Sequence, residues 1–447
     1  MPLLRPFRAL RYDATSIGDL SAVISPPYDV IGPDLHARLL ARHSRNSVRL
    51  DLPEERLGDE PGARYRRAAA EFVAWRSDGT LRKDPGPAAY VYEQRYRAAD
   101  DAGAGPERVQ RGVFTRVKLE DLGPGGGVLP HERTLSGPKE DRYQLLRATG
   151  ANFSPIVGLY QGAGEGSPTL LEALAADPPA ADVVDDEGVR HRLWSAPVAD
   201  PRFTGPAHEL LGLAGAGPIT LADGHHRYET ALRYRDERRL KRACPHDPPY
   251  EFVFSLLFDT ATEMLQVLPT HRLVRGDPVG EALLAAAGQF FRVERLDAPA
   301  DLLAAFGPGA PTADPGVSRA GQRIGLYTAG LGAILRPDHA RLAPLLDANA
   351  SETLRWLPVS VLAATLEQLA GLDAAALAAA GRLDYTKDAG AAIAAVDAGE
   401  AEAVFLLDPI SAATVRQVAE AGELMPQKST YFWPKPPTGL LFSPGEW

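Results

Sequence analysis

The segment that follows Ala222 concentrates residue types that bind phosphate: an aspartate, a glycine, two histidines and an arginine, Asp223 to Arg227. The apolar stretch before it predicts a short strand, and the residues after Gly224 predict a helix that begins near His225. A helix N-terminus offers free backbone N–H groups and a positive dipole end, to which His225, His226 and Arg227 add side-chain donors. This pattern predicts a phosphate-binding turn whose first helical turn faces solvent. At the end of the predicted strand, Asp223 is placed to bind a substrate hydroxyl or Mg²⁺. The alternative is an aspartate cap with surface histidines.

A second group lies upstream, where Glu132 stands between His131 and Arg133. A carboxylate flanked by these side chains can act as a general base toward a substrate hydroxyl, or can bind a metal. The alternative interpretation is a helix start that Thr134 or Ser136 caps. If Glu132 works together with the turn at Asp223, the two segments must meet although about ninety residues separate them.

Three further candidate segments are scattered along the chain. Extended or loop segments that carry His, Arg, Lys or Tyr beside proline could grip phosphates or line a substrate pocket, or could be ordinary turns. As phosphate ligands these segments offer His271, Arg272, Lys428 and Lys435, and as substrate contacts Tyr28 and Asp29.

Composition limits the classes of function. The net charge of −10 argues against a general nucleic-acid binder, which needs a clustered basic surface. No apolar stretch approaches the roughly 20 residues that span a bilayer, and the first residues do not form a secretory signal. Cys244 is the single cysteine, which excludes an internal disulfide. We therefore expect a cytoplasmic protein. Phosphate-binding loops of the P-loop and dinucleotide-binding types and the serine-hydrolase nucleophile elbow are absent from the sequence.

The elements that must position these residues alternate irregularly, which predicts a mixed α/β protein with several domains. We expect an N-terminal α/β region (1–122), a core (123–275) with an insertion near 162–217, and a C-terminal α/β region (276–447). The pattern predicts strands at Ala89–Tyr96, Gly112–Leu119, Pro155–Tyr160, Pro218–Ala222, Glu251–Phe258, Phe290–Leu296, Arg323–Tyr327 and Ala403–Leu407, and helices at Arg64–Trp75, Glu140–Thr149, Val359–Leu369 and Ser411–Ala421.

Four motifs together resemble one family. On Leu129–Glu132, Asp223–Arg227, Pro269–Arg272 and Gln427–Phe432 the chain is identified as a member of the DUF1015 family. The order of elements in the middle of the chain also resembles the ParB/sulfiredoxin superfamily, which includes free-serine kinases. Two departures stand out: the chain is much longer than those kinases, and it inserts about 55 residues, roughly 162–217, between the Pro155–Tyr160 strand and the turn at Asp223. The sulfiredoxin catalytic cysteine has no counterpart here, which argues against the reductase chemistry.

The resemblance implies roles for the candidate residues. Glu132 would be the base that deprotonates the hydroxyl, Asp223 would contact substrate or Mg²⁺, and His225, His226 and Arg227 would hold phosphate, with His226 also among the catalytic residues. His131 and Arg133 would join the substrate contacts, and Glu132 with Asp223 are the candidate ligands of Mg²⁺.

The function predicted from residues and resemblance is phosphoryl transfer from ADP or ATP to a small hydroxyl metabolite, with free L-serine as the first candidate. Two alternatives are a ParB-like nucleotide-binding switch and a nucleotidase, in which water replaces the hydroxyl compound. The identity of the phosphate donor, with CTP included, and the oligomeric state, with a homodimer included, stay open.

Overall fold

A computed structural model describes residues 1–97, 106–123, 125–132, 137–162, 166–198, 205–241, 247–260, 265–276, 278–307 and 322–446. The first part of the chain contains five helices and seven strands among these residues. They are β1 (Leu4–Arg5), β2 (Leu10–Tyr12), α1 (Ala14–Ile17), α2 (Pro33–Arg42), α3 (Val48–Asp51), α4 (Ala63–Ser77), β3 (Leu81–Lys83), β4 (Ala88–Arg97), β5 (Glu107–Lys118), β6 (Val128–Leu129), α5 (Gly137–Thr149) and β7 (Ile156–Tyr160).

The middle part continues the same sheet. Its elements are α6 (Gly166–Leu174), β8 (Ala181–Val184), β9 (Arg190–Pro197), α7 (Pro206–Ala214), β10 (Ile219–Asp223), α8 (His225–Lys241) and β11 (Phe252–Asp259). The predicted insertion near 162–217 therefore supplies a helix at each end and a β-hairpin between them.

The last part forms a second sheet with its own helices. Its elements are β12 (Gln266–Leu268), β13 (His271–Val274), α9 (Gly280–Ala287), β14 (Phe291–Leu296), α10 (Pro299–Phe306), β15 (Ile324–Thr328), β16 (Leu331–Pro337), α11 (His339–Leu342), α12 (Glu352–Arg355), α13 (Pro358–Ala370), α14 (Ala374–Ala379), β17 (Leu383–Thr386), α15 (Ala389–Asp397), β18 (Ala403–Leu407), α16 (Ala412–Glu420) and β19 (Tyr431–Trp433).

The larger sheet has nine strands among the described residues, in the order β6-β10-β7-β11-β5-β4-β9-β8, with β1 paired to β5. Strand β11 is buried at every position, because its nearly continuous apolar sequence fits a strand covered on both faces. Phe114 and Phe254 belong to the core on one face of the sheet, while Leu210 and Tyr228 of α7 and α8 pack on the other. The buried sheet provides a rigid frame for the loops at its β6–β10 end.

The second sheet has the order β14-β16-β15-β18-β13-β17. After α16, β19 pairs with β12 in a separate two-stranded sheet, which places Phe432 and Trp433 near Asp223 of β10 and Val157 of β7. The apolar cluster on this face of the larger sheet is continuous with the core of the second sheet. The terminal segment is thus an ordered part of the fold, as its proline and aromatic content predicts.

The predicted mixed α/β class is confirmed, and each strand and helix predicted above has a counterpart within a few residues. Strands β7 and β10 are neighbours in one sheet, and the helix after β10 begins at His225. The predicted division at residue 122 falls between strands of one sheet, because β1, β4 and β5 join it through the pairing of β5 with β11. Within the described residues, no helix is both long and apolar enough to cross a membrane.

Candidate active site

The turn between β10 and α8 depends on Gly224, whose φ of +87° lies in the left-handed region. A side chain here would also place its Cβ 3.0 Å from Nε of Arg227. The 17-residue helix α8 therefore starts abruptly at the end of a buried strand, as the sequence predicts. Its first backbone N–H groups have no acceptor within the helix, which makes this end suited to an anion.

The expectation that the first turn of α8 faces solvent is wrong. His225 is only 4% exposed, and the side chain of Arg227 is 12% exposed. Arg227 is drawn inward because its guanidinium donates to Asp223 Oδ2 at 2.6 Å and to the carbonyl of Pro155. Its Nε atom is buried without a hydrogen-bond partner among the described residues. His226 is half-buried beside them.

The segment of Glu132 is tied to this turn through His131. Strands β6 and β10 are parallel, so their C-terminal ends meet at the same edge of the sheet. The His131 backbone N–H donates to Nε2 of His225 at 3.3 Å, and the two rings lie 4.7 Å apart. The His131 ring reaches the carbonyl of Leu221 with Nδ1 at 2.5 Å and the hydroxyl of Thr430 with Nε2 at 3.0 Å. Three of the four sequence motifs therefore converge on one fully buried imidazole.

These contacts fix the tautomer of a neutral His131. Because Nδ1 faces a carbonyl oxygen, it must carry the proton, and Nε2 accepts from the Thr430 hydroxyl. His225 accepts at Nε2, so its proton is on Nδ1. Burial lowers the pKa of His225 well below its ordinary value. His225 therefore links the turn to the His131 segment as a neutral imidazole, and its role as a phosphate ligand stays a prediction.

Glu132 stands next to this imidazole with an unused acceptor. Its Oε2 atom is buried, 4.0 Å from Nε2 of His131, and has no hydrogen-bond partner among the described residues. The Glu132 side chain as a whole is 21% exposed. Its backbone is held by a parallel bridge to Met425, whose N–H donates to the carbonyl of His131 at 2.8 Å. A rigidly held carboxylate with a free oxygen is the arrangement expected of a general base.

Asp223 belongs to a cluster of four charged groups. Nζ of Lys435 lies 2.6 Å from Asp29 Oδ2 and 3.3 Å from Asp223 Oδ1, while Arg227 binds the other oxygen of Asp223. Burial alone would raise the pKa of Asp223, but Lys435 and Arg227 outweigh it and hold that pKa well below its ordinary value. Burial opposes the charge of Lys435 as well, yet Asp223 and Asp29 keep its pKa raised. Two cations and two carboxylates leave the cluster without net charge.

Tyr28 lies between two arginines at the edge of this cluster. The guanidinium of Arg142 stacks 4.0 Å from the Tyr28 ring centroid, and that of Arg227 lies 5.9 Å from it. Arg142 is itself held by the backbone carbonyl of Asp51 at 2.6 Å. The predicted contacts Tyr28 and Asp29 are thus brought to Asp223. Arg142 is an addition that the sequence did not single out, since arginines at helical positions are common.

The other predicted phosphate ligands, His271, Arg272 and Lys428, do not lie in the charged cluster at Asp223. His271 begins β13 in the second sheet, where it is 1% exposed and accepts from the N–H of Leu407 at 3.2 Å. Arg272 is also buried, and its guanidinium binds the carbonyls of Gln427 and Lys428 at 3.4 and 3.1 Å. Lys428 has an exposed side chain and a left-handed backbone with φ of 55°. None of the three is gathered around Asp223. Burial lowers the pKa of Arg272 to about 10, and the nearby carboxylate of Glu132 opposes this shift, so Arg272 lies on the Glu132 side of the site. Arg133 lies outside the described residues.

The side chains around Asp223 and Glu132 offer few ligands for a metal ion. Among the described residues, no group of three or more His, Cys, Asp or Glu side chains is arranged to hold a metal ion. Both oxygens of Asp223 already face cations, whereas Oε2 of Glu132 is open. This donor set fits an ion that arrives on a nucleotide and takes one or two protein carboxylates, as Mg²⁺ commonly does.

Comparison with known proteins identifies the family. The family model described as "Protein of unknown function (DUF1015)" matches residues 4–360, and the chain belongs to this family, as its motifs predicted. No functionally curated protein matches the sequence.

Several solved structures are distantly similar to this chain. A free serine kinase in complex with AMP is 12% identical, with a TM-score of 0.36 over 70% of this chain and 92% of the kinase. A conserved hypothetical protein from Pyrococcus furiosus is 12% identical, with a TM-score of 0.34 over 72% of this chain and 90% of that protein. SbnI with a C-terminal truncation, from Staphylococcus aureus, is 9% identical, with a TM-score of 0.34 over 73% and 85%.

Proposed function

We propose that this protein is a nucleotide-dependent phosphotransferase that moves a phosphoryl group from ADP or ATP to the hydroxyl of a small metabolite. The observation that carries the proposal is the buried Oε2 atom of Glu132, which has no hydrogen-bond partner among the described residues. It lies on a segment bonded directly to the turn that begins α8. An unsatisfied buried acceptor costs about 1–3 kcal/mol, so its presence calls for a ligand that donates to it.

A substrate hydroxyl is such a ligand. Glu132 would accept the proton as the hydroxyl oxygen attacks the terminal phosphorus atom of the nucleotide. The bond from that phosphorus atom to the bridging oxygen breaks, and AMP (from ADP) or ADP (from ATP) leaves with the bonding electrons. A general base of this kind contributes about 10²–10⁴ in rate. His131 does not form a hydrogen bond to the same oxygen, because its Nε2 lies 4.0 Å from Oε2 of Glu132 and only 3.0 Å from the hydroxyl of Thr430. The role of His131 is to hold the Glu132 segment against β10.

Phosphate binding would depend more on the backbone than on the cations of the cluster. Since Asp223 and Asp29 neutralise Arg227 and Lys435, the main donors for a phosphate are the first backbone N–H groups of α8, and His226 belongs to the same helical turn. Negative charge near the start of a helix is stabilised by about 0.3–1 kcal/mol at an exposed site and by up to about 2 kcal/mol at a partly buried one. We assign His226 and Arg227 to the phosphates, with Arg227 acting chiefly through its hold on Asp223.

Mg²⁺ belongs to the proposal as a partner of the nucleotide. Glu132 and Asp223 are the residues that would hold it, and the ion would neutralise charge on the phosphates when bound. Asp223 is fully ionised at neutral pH because its pKa is lowered by Lys435 and Arg227 against the opposing effect of burial. The Asp223 carboxylate is therefore already negatively charged, and it could bind Mg²⁺ in place of Lys435 or Arg227.

Free L-serine is the first acceptor to test, because the Glu132 segment and the Asp223–Arg227 turn resemble those of free-serine kinases. The experiment incubates purified protein with Mg²⁺, ADP or ATP, and either L-serine or a panel of hydroxy metabolites, and measures phosphorylated product by mass spectrometry. Product with an acceptor supports the proposal. Release of phosphate without any acceptor would instead indicate a nucleotidase, and nucleotide binding without turnover would indicate a switch.

A further inference from the structure

Arg272 is a buried cation without a carboxylate partner. The residue is 4% exposed, and its guanidinium donates to three backbone carbonyls, those of Thr270, Gln427 and Lys428. In the part of the chain that the structure describes, no carboxylate forms an ion pair with it, in contrast to both cations at Asp223. Removing a cation from water is costly unless an anion offsets it, and carbonyl dipoles do so only in part. The guanidinium is therefore suited to an anion that the protein does not supply.

This guanidinium lies close to the proposed general base. The backbone of Glu132 bridges to Met425, and the carbonyls of the second and third residues after Met425 accept from Arg272. Three residues span at most about 11 Å, so a short segment separates the two side chains. Oε2 of Glu132 is buried and also has no partner among the described residues. A cation from the second sheet and a proton acceptor from the larger sheet are thus both left open in one region.

Two further groups accompany Arg272. The hydroxyl of Thr270 has no hydrogen-bond partner among the described residues, although Thr270 is only 7% exposed and its own carbonyl binds Arg272. Tyr385 lies opposite Arg272 in the pairing of β13 with β17, with its ring centroid 5.3 Å from the guanidinium carbon. A guanidinium and a hydroxyl are donors that suit a carboxylate, and the aromatic ring helps to hold the guanidinium plane.

We infer that Arg272 binds a carboxylate of the acceptor, so that the acceptor is a short hydroxy acid, with or without an amino group, rather than a neutral alcohol. The inference rests on the proposed function. Three carbonyls occupy at most three of the five N–H groups of Arg272, which leaves two for carboxylate oxygens. Glu132 would meanwhile take the proton from the hydroxyl at the other end of the same molecule, and binding at both ends orients that hydroxyl.

A phosphate of the nucleotide offers the same anionic chemistry to Arg272. The phosphates are expected at the start of α8, however, and Arg272 does not belong to the cluster at Asp223 beside it. The carboxylate of the acceptor is therefore the anion that we assign to Arg272, and the nucleotide phosphate is an outcome that the experiment must separate from it.

The test compares acceptors that differ in charge at one end. L-serine and L-serinamide share the hydroxyl and the amino group, but only L-serine has a carboxylate, and D-glycerate with D-glyceramide forms the matching pair without an amino group. Calorimetric titration, and initial rates with Mg²⁺ and ADP or ATP, are measured on the full chain for the wild type, Arg272→Gln and Arg272→Lys. We expect the wild type to prefer the acid over its amide at least about tenfold in Kd and kcat/KM, and Arg272→Gln to reduce this ratio to about twofold or less. Arg272→Lys keeps the charge without the planar fork, so its ratio should lie between the two.

Arg275 provides the matched control. It follows β13, and its guanidinium also binds backbone carbonyls, but it is exposed and paired with Asp384. Arg275→Gln should leave the ratio of acid to amide unchanged. Thermal melting checks that each variant folds, and if Arg272→Gln does not fold, the ratios of the wild type and Arg272→Lys decide.

The outcomes separate this inference from the proposed function. Equal affinity of the wild type for acid and amide, or a ratio that survives in folded Arg272→Gln, overturns the role of Arg272. A fall in ADP affinity of Arg272→Gln with an unchanged ratio would make Arg272 a ligand of the nucleotide phosphate instead. Phosphorylation of neutral alcohols as readily as of acids would remove the carboxylate site while the phosphotransferase stands. Binding of an acid that depends on Arg272, without any phosphorylated product, would retain the site and refute the phosphotransferase.

Discussion

The backbone N–H of His131 donates to Nε2 of His225 over 3.3 Å, which joins two segments that lie 94 positions apart in the sequence. Through this bond the carboxylate of Glu132 is positioned relative to the start of α8. The same imidazole of His131 reaches Thr430, so the C-terminal segment closes the site from a third direction. The site is thus assembled around a buried structural histidine, and the reactive groups project from its neighbours.

The first prediction concerns Glu132. Glu132→Gln keeps the size of the side chain but removes the proton acceptor, so kcat should fall by about 10²–10⁴ while nucleotide affinity changes little. Initial rates of phosphorylated product and calorimetric titration with ADP check this. The exposed residue Glu367 on α13 provides a matched control, and Glu367→Gln should leave both values unchanged. Near-normal turnover of Glu132→Gln would exclude Glu132 as the base, and joint loss of nucleotide binding would make it a ligand of the metal or nucleotide.

The second prediction concerns Lys435. Lys435→Met removes the ammonium between Asp29 and Asp223, and the free energy of unfolding at pH 7 should fall by about 1–3 kcal/mol. The lowered pKa of Asp223 contributes stability that is present above the unfolded pKa of about 3.9 and is lost as the pH falls through the folded pKa. Urea unfolding between pH 5 and pH 2 should therefore show a smaller loss of stability in Lys435→Met than in the wild type. Lys387→Met, at an exposed ion pair of 3.9 Å, should change neither value by more than about 0.5 kcal/mol. Identical acid profiles for wild type and Lys435→Met would contradict the prediction.

The third prediction corrects an expectation from the sequence. Because Arg227 is buried and holds both Asp223 and the carbonyl of Pro155, Arg227→Met should lower the free energy of unfolding by about 1–3 kcal/mol even without ligand. The measurement is urea unfolding beside Arg233→Met on the exposed face of α8, where the loss should be about 0.5 kcal/mol or less. Equal free energies of unfolding of the two variants would show that Arg227 stabilises the fold no more than an exposed arginine does.

The fourth prediction uses His271 as a pH probe of the second sheet. Burial and the adjacent Arg272 lower the pKa of His271 to about 4. A histidine with a lowered folded pKa is protonated first in the unfolded chain, so its contribution to stability falls as the pH drops from about 6.5 to about 4, by about 1.4 kcal/mol per pH unit. His271→Asn keeps an acceptor for the N–H of Leu407 but does not titrate, so its stability should fall less steeply in this window. The exposed His208→Asn is the control, and a slope of His271→Asn equal to that of the wild type would show that His271 titrates normally.

Some features of the site follow from local sequence. Asp223-Gly224 after an apolar run predicts a strand, a tight turn and a helix, because only glycine adopts the left-handed backbone at that point without strain, and the structure confirms this order. The alternation of apolar residues likewise predicts β4 and β5 within a few residues of their observed ends. These features depend on neighbours along the chain, which a sequence displays directly.

Other features depend on contacts across the fold. The sequence suggested that Lys435, His271 and Arg272 bind phosphate because their residue types are right, but residue type does not reveal which partner lies nearby. Lys435 proved to be paired with Asp29, 406 positions away, and Arg272 with the loop carbonyls at 427 and 428.

The sequence by itself determined the family, the mixed α/β class and the residues that could do chemistry. Periodicity, turn residues and short motifs are local properties, so they can be interpreted without knowledge of contacts between remote residues. Only the tertiary structure decided which of those residues meet, which are buried and which are neutralised, since burial and charge pairing are set by the packing of strands and loops that are remote in sequence. Glu132 kept an open oxygen and Arg227 lost its exposure for that reason.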